Sequence, residues 1–563
     1  MANLKVFLRE NSIFLFGLLL TLSLLWPLLG PTYFTHHDDV QMVRLFEMDK
    51  CIRDGQIPCR WVPDLGGLYG YPLFNYYAPL SYYIGEIFYL LTGSLMFSAK
   101  IMFAIPFVGA YIFMFLLGRK LWGNLGGLLS GVFYSFAPYH AVVFYVRGAM
   151  GEIWSLMFFP AIFWAVVRLK DSATIGNTSL LAIFVALLAL SHNLSTMIFI
   201  PVTLAFAVIL FAQKKDFKFL ALFIASLILG LFLAAFYWLP AITEKDLVHV
   251  ETTTSGYFSN TEHFKGLRKL FLENSWGWGA SVREVPGGER DGMSFQIGWV
   301  HVLGWLAAIT AAVYLWRKDR RVSILVGFLS AVALGSIFMI NPRSEFIWRL
   351  IEPLKYLQFP WRFLMLIIFS LSLMSGSLIL CLKEKKKIAI MIFLVLVVVV
   401  NFSFFRPEKF FPLTDSELLS GAKWDAQIKR SIFDFLPKSA KAPPAELATV
   451  RFEVLSGKAT ISGWREGSNW IYFKADVEED TKFRLSQYYF PNWRILLDGH
   501  ETEIDSKNDL GLMTITLNKG AHTVEAKLWD TPVRILANSI TVAGLAVLIF
   551  LGLYKLKRKR IVL

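Results

Sequence analysis

The sequence predicts a polytopic α-helical membrane protein with a C-terminal, mainly β domain outside the membrane. Hydrophobic residues make up 55% of the 563 residues and charged residues only 17%, whereas ordinary soluble domains contain about 25% charged residues. The chain also contains repeated, nearly chargeless apolar runs, each long enough to cross the roughly 30 Å apolar core of a bilayer. A soluble globular fold is therefore excluded.

About twelve crossings are predicted from these runs. The run 175–212 is long enough for two short crossings, joined by a polar turn at Ser191–Ser195. The segment Pro79–Phe97 is apolar enough to span but carries Glu86 and several tyrosines, and we expect it to lie at the membrane interface. The predicted crossings are 12–30, 99–118, 124–145, 153–169, 175–212, 219–239, 297–316, 322–340, 361–382, 388–405 and 533–554.

Charge sets the predicted orientation. A net charge of +14 in a soluble protein would raise the question of nucleic-acid binding. Here the basic residues concentrate in short connectors between the apolar runs, and all of these connectors fall on one side if Pro79–Phe97 does not cross, as the positive-inside rule requires. We therefore expect a multi-pass plasma-membrane protein with cytoplasmic N- and C-termini and no nucleic-acid partner.

Three parts follow from this topology. We expect a transmembrane domain over residues 1–405 with long outer loops at 31–98 and 240–296, an extracytoplasmic domain over 406–532, and a last crossing with a basic cytoplasmic tail over 533–563. From Thr449 onward, polar and apolar residues alternate between turn residues spaced roughly 8 to 12 positions apart. This pattern predicts a small β-sandwich, which could be a spacer, a lid or a sugar-binding module.

The strongest candidate for chemistry follows the first crossing, where His36, His37, Asp38 and Asp39 are consecutive. Four ionisable groups at a membrane boundary are costly without a function. Two adjacent carboxylates can act as a general base, or can hold a divalent cation such as Mg²⁺ or Mn²⁺ together with water and phosphate oxygens. The alternative is structural, with Asp38 or Asp39 as the N-cap of a following helix.

Other candidates lie at the outer ends of later crossings. Arg147 could bind a phosphate through its planar fork, or could form a salt bridge with Glu152. His192, beside Asn193 in the turn between two crossings, is either a structural histidine or a substrate contact. Arg362, four residues after Gln358, could neutralise a lipid phosphate or anchor its helix by snorkelling.

The three cysteines give one structural expectation. Cys51 and Cys59 lie eight positions apart in the first outer loop, where an oxidising exterior would permit a disulfide, and both the paired and the free forms remain open. Cys381 is predicted to be a packing residue. No Cys/His spacing suggests a zinc site.

Taken in order, several motifs carry a family resemblance. They are GQIPCRW, GYPLFNYYAPLSYY, YVRGAMGE, SHN, QFPWRF and YYFPNWRILLDGHE. Together with the paired acids after the first crossing, they resemble the GT-C superfamily of integral membrane glycosyltransferases, and within it the membrane proteins related to 6-pyruvoyl-tetrahydropterin synthase and the YfhO-type proteins. Nothing in the chain resembles the soluble pterin synthase with its zinc histidines.

The resemblance implies transfer of a sugar, usually with inversion, from a polyprenyl-phosphate donor to a glycan, lipid or protein acceptor outside the cytoplasm. Asp38 matches the first acid of the superfamily motif, as base or metal-positioning residue, and Asp39 matches its acidic partner. The remaining predicted site residues are assigned to substrate binding: His37, Arg147, Glu152, His192, Asn193, Gln358 and Arg362. The preceding histidines, and Asp where the commoner motif has Glu, leave metal dependence open.

The alternative prediction is a non-catalytic transporter or assembly scaffold for a lipid-linked glycan. Such a protein would use the same basic and aromatic surfaces to hold its ligand. A transporter is expected to show charged or broken helices near mid-membrane in both halves, and no such repeated feature is evident in the sequence.

Overall fold

The computed structural model describes residues 11–281, 292–381, 386–430 and 433–562. Four basic residues of the connectors that set the predicted orientation (Lys5, Arg9, Lys383 and Lys385), and part of the outer loop 240–296, lie outside these ranges. The longer helices are α1 (Ser12–Ser23), α2 (Gln41–Arg53), α3 (Leu80–Thr92), α4 (Leu95–Ser135), α5 (Met150–Asp171), α6 (Ile175–Ser191), α7 (Asn193–Lys214), α8 (Phe217–Leu233), α9 (Ala235–Thr243), α10 (Trp299–Leu315), α11 (Arg320–Ile340), α12 (Leu364–Ser375), α13 (Lys386–Asn401), α14 (Gly421–Arg430) and α15 (Pro532–Val562).

These helices make the chain a polytopic helical membrane protein. Six helical segments among the described residues are long and apolar enough to span a membrane, and a seventh is formed if α8 and α9, which meet at 74°, make one broken span. Shorter apolar helices coincide with the other predicted runs. The number of crossings and their orientation stay predictions.

Helix α4 contains the predicted crossing 99–118 and the first part of the one predicted over 124–145, and the two form a hairpin. Gly123 has φ 84° and ψ 178°, which interrupts the helix. A Cβ placed on Gly118 would lie 3.0 Å from the Cα of Gly127, whereas nine residues of straight helix would separate them by about 13.5 Å. The chain therefore turns back on itself at Gly123.

The second of these two crossings, predicted over 124–145, is broken. The helix ends at Ser135, a short helical turn follows at Pro138–Ala141, and Val142–Arg147 is a π-helical turn. Pro138 cannot supply the N–H that a continuous helix would need. The break separates the end of this segment, the π-helical turn that ends at Arg147, from the rest of the helix and places it just before α5.

Helix α3 lies within Pro79–Phe97, the segment that is predicted to lie at the membrane interface. Its 13 residues extend about 20 Å, which is shorter than the apolar core of a bilayer. It ends at Gly93, which adopts the left-handed conformation. In the same outer loop, Cys51 and Cys59 form a disulfide, which settles the cysteine alternative left open by the sequence.

The C-terminal domain is built from antiparallel strands, as the alternation predicts. Strand β4 (Trp470–Tyr488) pairs with β3 (Phe452–Glu466) along one edge, while its first half pairs with β8 (Gly520–Leu528) and its second half with β7 (Leu512–Leu517). All six strands therefore join one sheet among the described residues, and the predicted two-sheet sandwich is wrong. The strands of the chain are β1 (Tyr33–Phe34), β2 (Phe410–Phe411), β3 (Phe452–Glu466), β4 (Trp470–Tyr488), β5 (Trp493–Leu497), β6 (His500–Thr502), β7 (Leu512–Leu517) and β8 (Gly520–Leu528).

This sheet packs directly on the first outer loop. The ring of Trp61 lies 5.8 Å from those of Phe490 and Trp493, centroid to centroid. Asp54 accepts hydrogen bonds from the backbone N–H and hydroxyl of Ser468. Because both apolar and polar contacts join them, the β domain and the first loop form a continuous structure over one end of the helices.

Candidate active site

The acid motif is attached through its backbone to the loop before α5. The His37 N–H donates to the carbonyl of Val146 (3.0 Å), and the Asp38 N–H donates to the carbonyl of Arg147 (2.9 Å). Gln41 then donates from Nε2 to the carbonyl of Gly148 (2.8 Å). Two segments more than a hundred residues apart are thereby held together.

The N-cap alternative for the aspartates is wrong. Helix α2 begins at Gln41, and its N-cap is Val40, with no side-chain capping hydrogen bond. Asp38 therefore lies two residues before the cap. Its carboxylate is half-buried and makes no hydrogen bond or ion pair with any residue in the described part of the chain.

Gly148 allows the two segments to approach this closely. It has φ +60°, and a Cβ at this position would lie only 2.4 Å from Nδ1 of His36. His36 is buried beneath it, with Nε2 3.3 Å from the hydroxyl of Tyr33. Burial, with a smaller contribution from the neighbouring His37, lowers the pKa of His36 to about 3. This imidazole is therefore neutral at physiological pH.

Arg147 belongs to a buried cluster of three ionised side chains. Glu152 Oε2 lies 2.6 Å from Arg147 Nη1, and Glu152 Oε1 lies 2.9 Å from Arg362 Nε. The Tyr139 hydroxyl donates to Glu152 Oε2 at 3.3 Å. The predicted salt bridge of Arg147 with Glu152 is thus present, and Arg362, far away in sequence, joins it. We call Arg147, Glu152 and Arg362 the ion cluster.

Gln358 holds Arg362 in this geometry. Arg362 Nη1 donates to the Leu357 carbonyl (2.6 Å) and to Gln358 Oε1 (3.2 Å), and Gln358 Nε2 donates to the carbonyl of Thr253 (2.8 Å). Gln358 has φ +59° and ψ −52°, a strained conformation for a residue with a side chain. Arg362 is only 6% exposed, so snorkelling does not describe its environment.

Two aromatic rings cover the guanidinium groups. Arg147 lies 4.5 Å from the ring centroid of Trp361, and Arg362 lies 4.9 Å from that of Phe359. The two rings stack on each other at 4.8 Å. Cation–π contacts of this kind favour the charged guanidinium in a site with little water.

His192 and Asn193 differ in their relation to the ion cluster. His192 separates α6 from α7 and caps α7 by accepting the Ser195 N–H at Nδ1 (3.2 Å). A Cβ on Gly151 would lie 3.0 Å from its ring, which places His192 beside the first turn of α5. Asn193 is exposed, and its Oδ1 accepts the N–H of Leu194. The structure therefore brings His192, but not the side chain of Asn193, to the ion cluster.

One basic residue of the site was not predicted. Arg44, on α2, is buried with its guanidinium 4.2 Å from the ring centroid of Tyr77. Burial opposes its charge, but Tyr77, Tyr82 and Asp38 outweigh this effect and raise the pKa of the guanidinium. The sequence gives no signal for this role because Arg44 resembles any charged residue of an amphipathic helix.

The predicted Mg²⁺ or Mn²⁺ site has few ligands. Among the described residues, no group of three or more His, Cys, Asp and Glu side chains is arranged to hold a metal ion. Asp38 and Asp39 supply two carboxylates, while magnesium and manganese prefer six oxygen ligands. The protein side chains alone therefore do not fit a dedicated metal centre, and we derive no step through a metal.

The chain is similar to one curated protein and to solved glycosyltransferase structures. An uncharacterized protein of Lactococcus lactis subsp. cremoris is 25% identical over 208 residues, covering 35% of this chain and 34% of that protein. The arabinofuranosyltransferase AftD from Mycobacteria is 15% identical with a TM-score of 0.46, covering 74% of this chain and 28% of its own. ArnT from Cupriavidus metallidurans, bound to undecaprenyl phosphate, is 12% identical with a TM-score of 0.40, covering 69% and 64%.

At these identities and TM-scores, the activity has to be argued from the site. A family model gives the more specific match, since residues 74–283 match the family described as "6-pyruvoyl-tetrahydropterin synthase related domain; membrane protein". The matched region contains Arg147, Glu152 and His192, whereas Asp38 and Arg362 lie outside it. The family resemblance predicted from the motifs is therefore confirmed over residues 74–283.

Proposed function

We propose that the protein is a membrane glycosyltransferase that moves a sugar from a polyprenyl-phosphate donor to an extracytoplasmic acceptor. One observation carries the proposal, namely the hydrogen bond from the Asp38 N–H to the carbonyl of Arg147. It joins a half-buried carboxylate to a buried cluster with two guanidinium groups. A general base and a site for an anionic leaving group are the two elements that sugar transfer from a lipid phosphate requires.

In the proposed reaction, the hydroxyl oxygen of the acceptor attacks the anomeric carbon of the donor sugar. Asp38 accepts the proton of that hydroxyl. The bond from that carbon to the phosphate oxygen breaks, and its electron pair leaves with the lipid phosphate. Arg147 and Arg362 stabilise the departing negative charge. Attack from the face opposite the phosphate inverts the anomeric configuration. Unlike glycoside hydrolysis, this reaction needs no acid to protonate the leaving oxygen, because phosphate already leaves well.

The electrostatics of the ion cluster support this assignment. Its two guanidinium groups are in contact with one carboxylate, which leaves one positive charge in excess. Helices α5 and α7 both begin beside the cluster, and helix N-termini favour anions. Glu152 would keep the guanidinium groups apart and oriented before the donor binds.

Most of the remaining predicted residues take supporting roles in the proposal. Asp39 is the acidic partner of Asp38, and His37 and His192 contact substrate on either side of the base. Asn193, whose side chain does not reach the ion cluster, has no role in the proposed reaction. Gln358 acts by positioning Arg362.

The proposal places the site on the outer face of the plasma membrane. Residues 1–405 would form the catalytic transmembrane domain, residues 406–532 an extracytoplasmic domain above it, and residues 533–563 the last crossing with a cytoplasmic tail. Both termini are then cytoplasmic. The acceptor would be a glycan, lipid or protein of the cell envelope.

The test uses purified protein in lipid nanodiscs with labelled polyprenyl-phosphate sugars and envelope acceptors. Asp38→Asn should lower the transfer rate roughly a hundred- to ten-thousand-fold, the usual contribution of a general base. Asp476→Asn, at an exposed position of β4, is the matched control and should retain activity. Transfer that survives Asp38→Asn combined with Asp39→Asn would refute the mechanism. Lipid flipping without sugar transfer in reconstituted vesicles would instead support a transporter or scaffold.

A further inference from the structure

A tryptophan lies against the acid motif on its solvent side. His37 Nε2 is 2.8 Å from the carbonyl oxygen of Trp278, and because a carbonyl only accepts, this nitrogen must carry a proton. The indole Nε1 of Trp278 donates to the carbonyl of Arg406 (3.3 Å), and the Arg406 guanidinium lies 5.6 Å from the ring centroid. Trp278 is therefore hydrogen-bonded to His37, the residue directly before Asp38.

Close backbone packing fixes the position of Trp278. A Cβ on Gly277 would lie 1.9 Å from the carbonyl oxygen of Gly292, and one on Gly279 would lie 2.8 Å from the Gly292 Cα. Trp278 itself pairs with Met293 in an antiparallel bridge. No side chain fits at these glycines, so the tryptophan is held by two backbone segments in contact. Such support suits a binding residue because little freedom is lost when a ligand arrives.

The neighbouring Trp276 shows what a packing tryptophan in this segment looks like. Its ring stacks on Phe404 at a centroid distance of 4.6 Å and an angle of 15°. Both indoles are partly buried and pack against the apolar core, but the contacts of their rings differ. Trp278 remains half-exposed, and no aromatic ring of the described residues stacks on it.

We propose that Trp278 is the platform on which a sugar ring of the acceptor stacks, so that the acceptor is a glycan. This inference rests on the proposed function. A sugar ring presents a C–H face that matches the broad apolar face of an indole, while its hydroxyls need polar partners at the rim, which His37 and Arg406 provide. The acceptor is favoured over the donor because Trp278 and His37 lie on the solvent side of Asp38, whereas Arg147 and Arg362 are buried.

Binding can be tested without a donor by ¹⁹F NMR of nanodisc protein labelled with 5-fluorotryptophan. The Trp278 and Trp276 resonances are assigned by their loss in Trp278→Phe and Trp276→Phe. Methyl glucoside and methyl mannoside are titrated to about 100 mM, where a site with millimolar Kd is saturated. The Trp278 resonance should shift saturably and that of Trp276 should not. Absence of a shift with both glycosides would overturn the proposal.

A second measurement links binding to transfer. The glycosides serve as surrogate acceptors for labelled polyprenyl-phosphate sugars, and Trp278→Ala should raise the glycoside KM at least tenfold with kcat largely retained, whereas Trp276→Phe should leave both unchanged. An equal loss of kcat at unchanged KM would contradict a platform role.

Failure of the platform and failure of the proposed function are distinguishable. The variant combining Asp38→Asn with Asp39→Asn should still show the Trp278 shift although transfer is abolished. A shift in a protein that transfers no sugar would retain the platform and reject the transferase. Sugar transfer without a shift of the Trp278 resonance would retain the transferase and reject the platform.

Discussion

In the part of the chain that the structure describes, two clusters each hold two buried arginines, and they differ in charge balance. In the ion cluster, Arg147 and Arg362 share Glu152. In the second cluster, which we call the outer junction, Arg534 Nε lies 2.8 Å from Glu244 Oε2, and Arg60 Nε lies 3.3 Å from Asp530 Oδ1. The first has one carboxylate for two guanidinium groups, and the second has one for each.

The difference separates a cluster that only holds the fold together from one suited to a ligand. The outer junction joins the first outer loop, the end of α9 and the start of α15, and Asn75 and Asn538 add hydrogen bonds to Arg60. Buried charges are costly unless they are paired, and there each is paired. The excess positive charge of the ion cluster has the same cost, and the proposed function accounts for it, because that charge would bind the anionic leaving group.

The largest expected effect is on stability when the shared carboxylate is removed. Glu152→Gln leaves two buried guanidinium groups without a counter-charge and should lower the free energy of unfolding by about 3 to 5 kcal/mol. Glu244→Gln should lower the free energy of unfolding by a similar amount, because the buried guanidinium of Arg534 loses its carboxylate partner. Denaturation of both variants in detergent measures this, and transfer per folded molecule should fall only for Glu152→Gln. Equal transfer by both variants would erase the distinction between the clusters.

Replacing one arginine in each cluster sharpens the comparison. Arg362→Lys keeps the charge but loses the planar fork that contacts Glu152 and Leu357, and we expect kcat to fall about ten- to a hundred-fold, near the range for removing one leaving-group contact. Arg534→Lys should change kcat less than about twofold. That is well below the tenfold change that corresponds to about 1.4 kcal/mol of transition-state stabilisation. Steady-state transfer kinetics measure both. A comparable fall in kcat for Arg534→Lys would show that the outer junction also serves catalysis.

The third prediction concerns pH and the residue beneath the acid motif. Because burial lowers the pKa of His36 to about 3, the unfolded chain binds a proton at this residue below about pH 6.5 and the folded chain does not. The free energy of unfolding should therefore decrease as the pH is lowered from about 6.5 to about 3, by at most about 1.4 kcal/mol per pH unit. His36→Gln should flatten this dependence in denaturation curves.

His522 provides a control of opposite sign in the β domain. Its hydrogen bond to Asp498 raises the pKa of His522, so its contribution is present at low pH and declines as the pH rises through the raised pKa. His522 lies near the surface, and the effect should be small. His522→Gln should leave the acid sensitivity due to His36 intact, and loss of that sensitivity in this variant would contradict the assignment.

The smallest effect is expected at Gln358. Gln358→Ala loses the contacts to Arg362 and Thr253 and keeps the strained backbone, whereas Gln358→Gly loses the same contacts and relieves the strain. The Gly variant should therefore be more stable than the Ala variant by about 1 kcal/mol, while both lower kcat alike. Identical unfolding midpoints would show that the backbone at Gln358 is not strained.

Much of the fold could be predicted because its signals are local. Apolar length predicted the helices, and alternation predicted the antiparallel strands from β3 to β8. The two failures have different causes, since the first is a local signal that apolar length overlooks and the second depends on distant segments. Pro138 breaks a run whose composition is still that of a crossing, and the single sheet depends on β4 being long enough to pair with both β7 and β8.

By itself, the sequence determined that this chain is a membrane protein with an appended β domain, and it indicated the acid motif and the arginines as candidates for chemistry. Only the tertiary structure decided how they are related. It placed Asp38 against Arg147, gave Arg147 and Arg362 a single shared carboxylate, and brought in Arg44 and Trp278, which carry no sequence signal. The physical reason is that composition and periodicity report the environment of each residue, whereas charge balance and proximity depend on segments that meet only after folding.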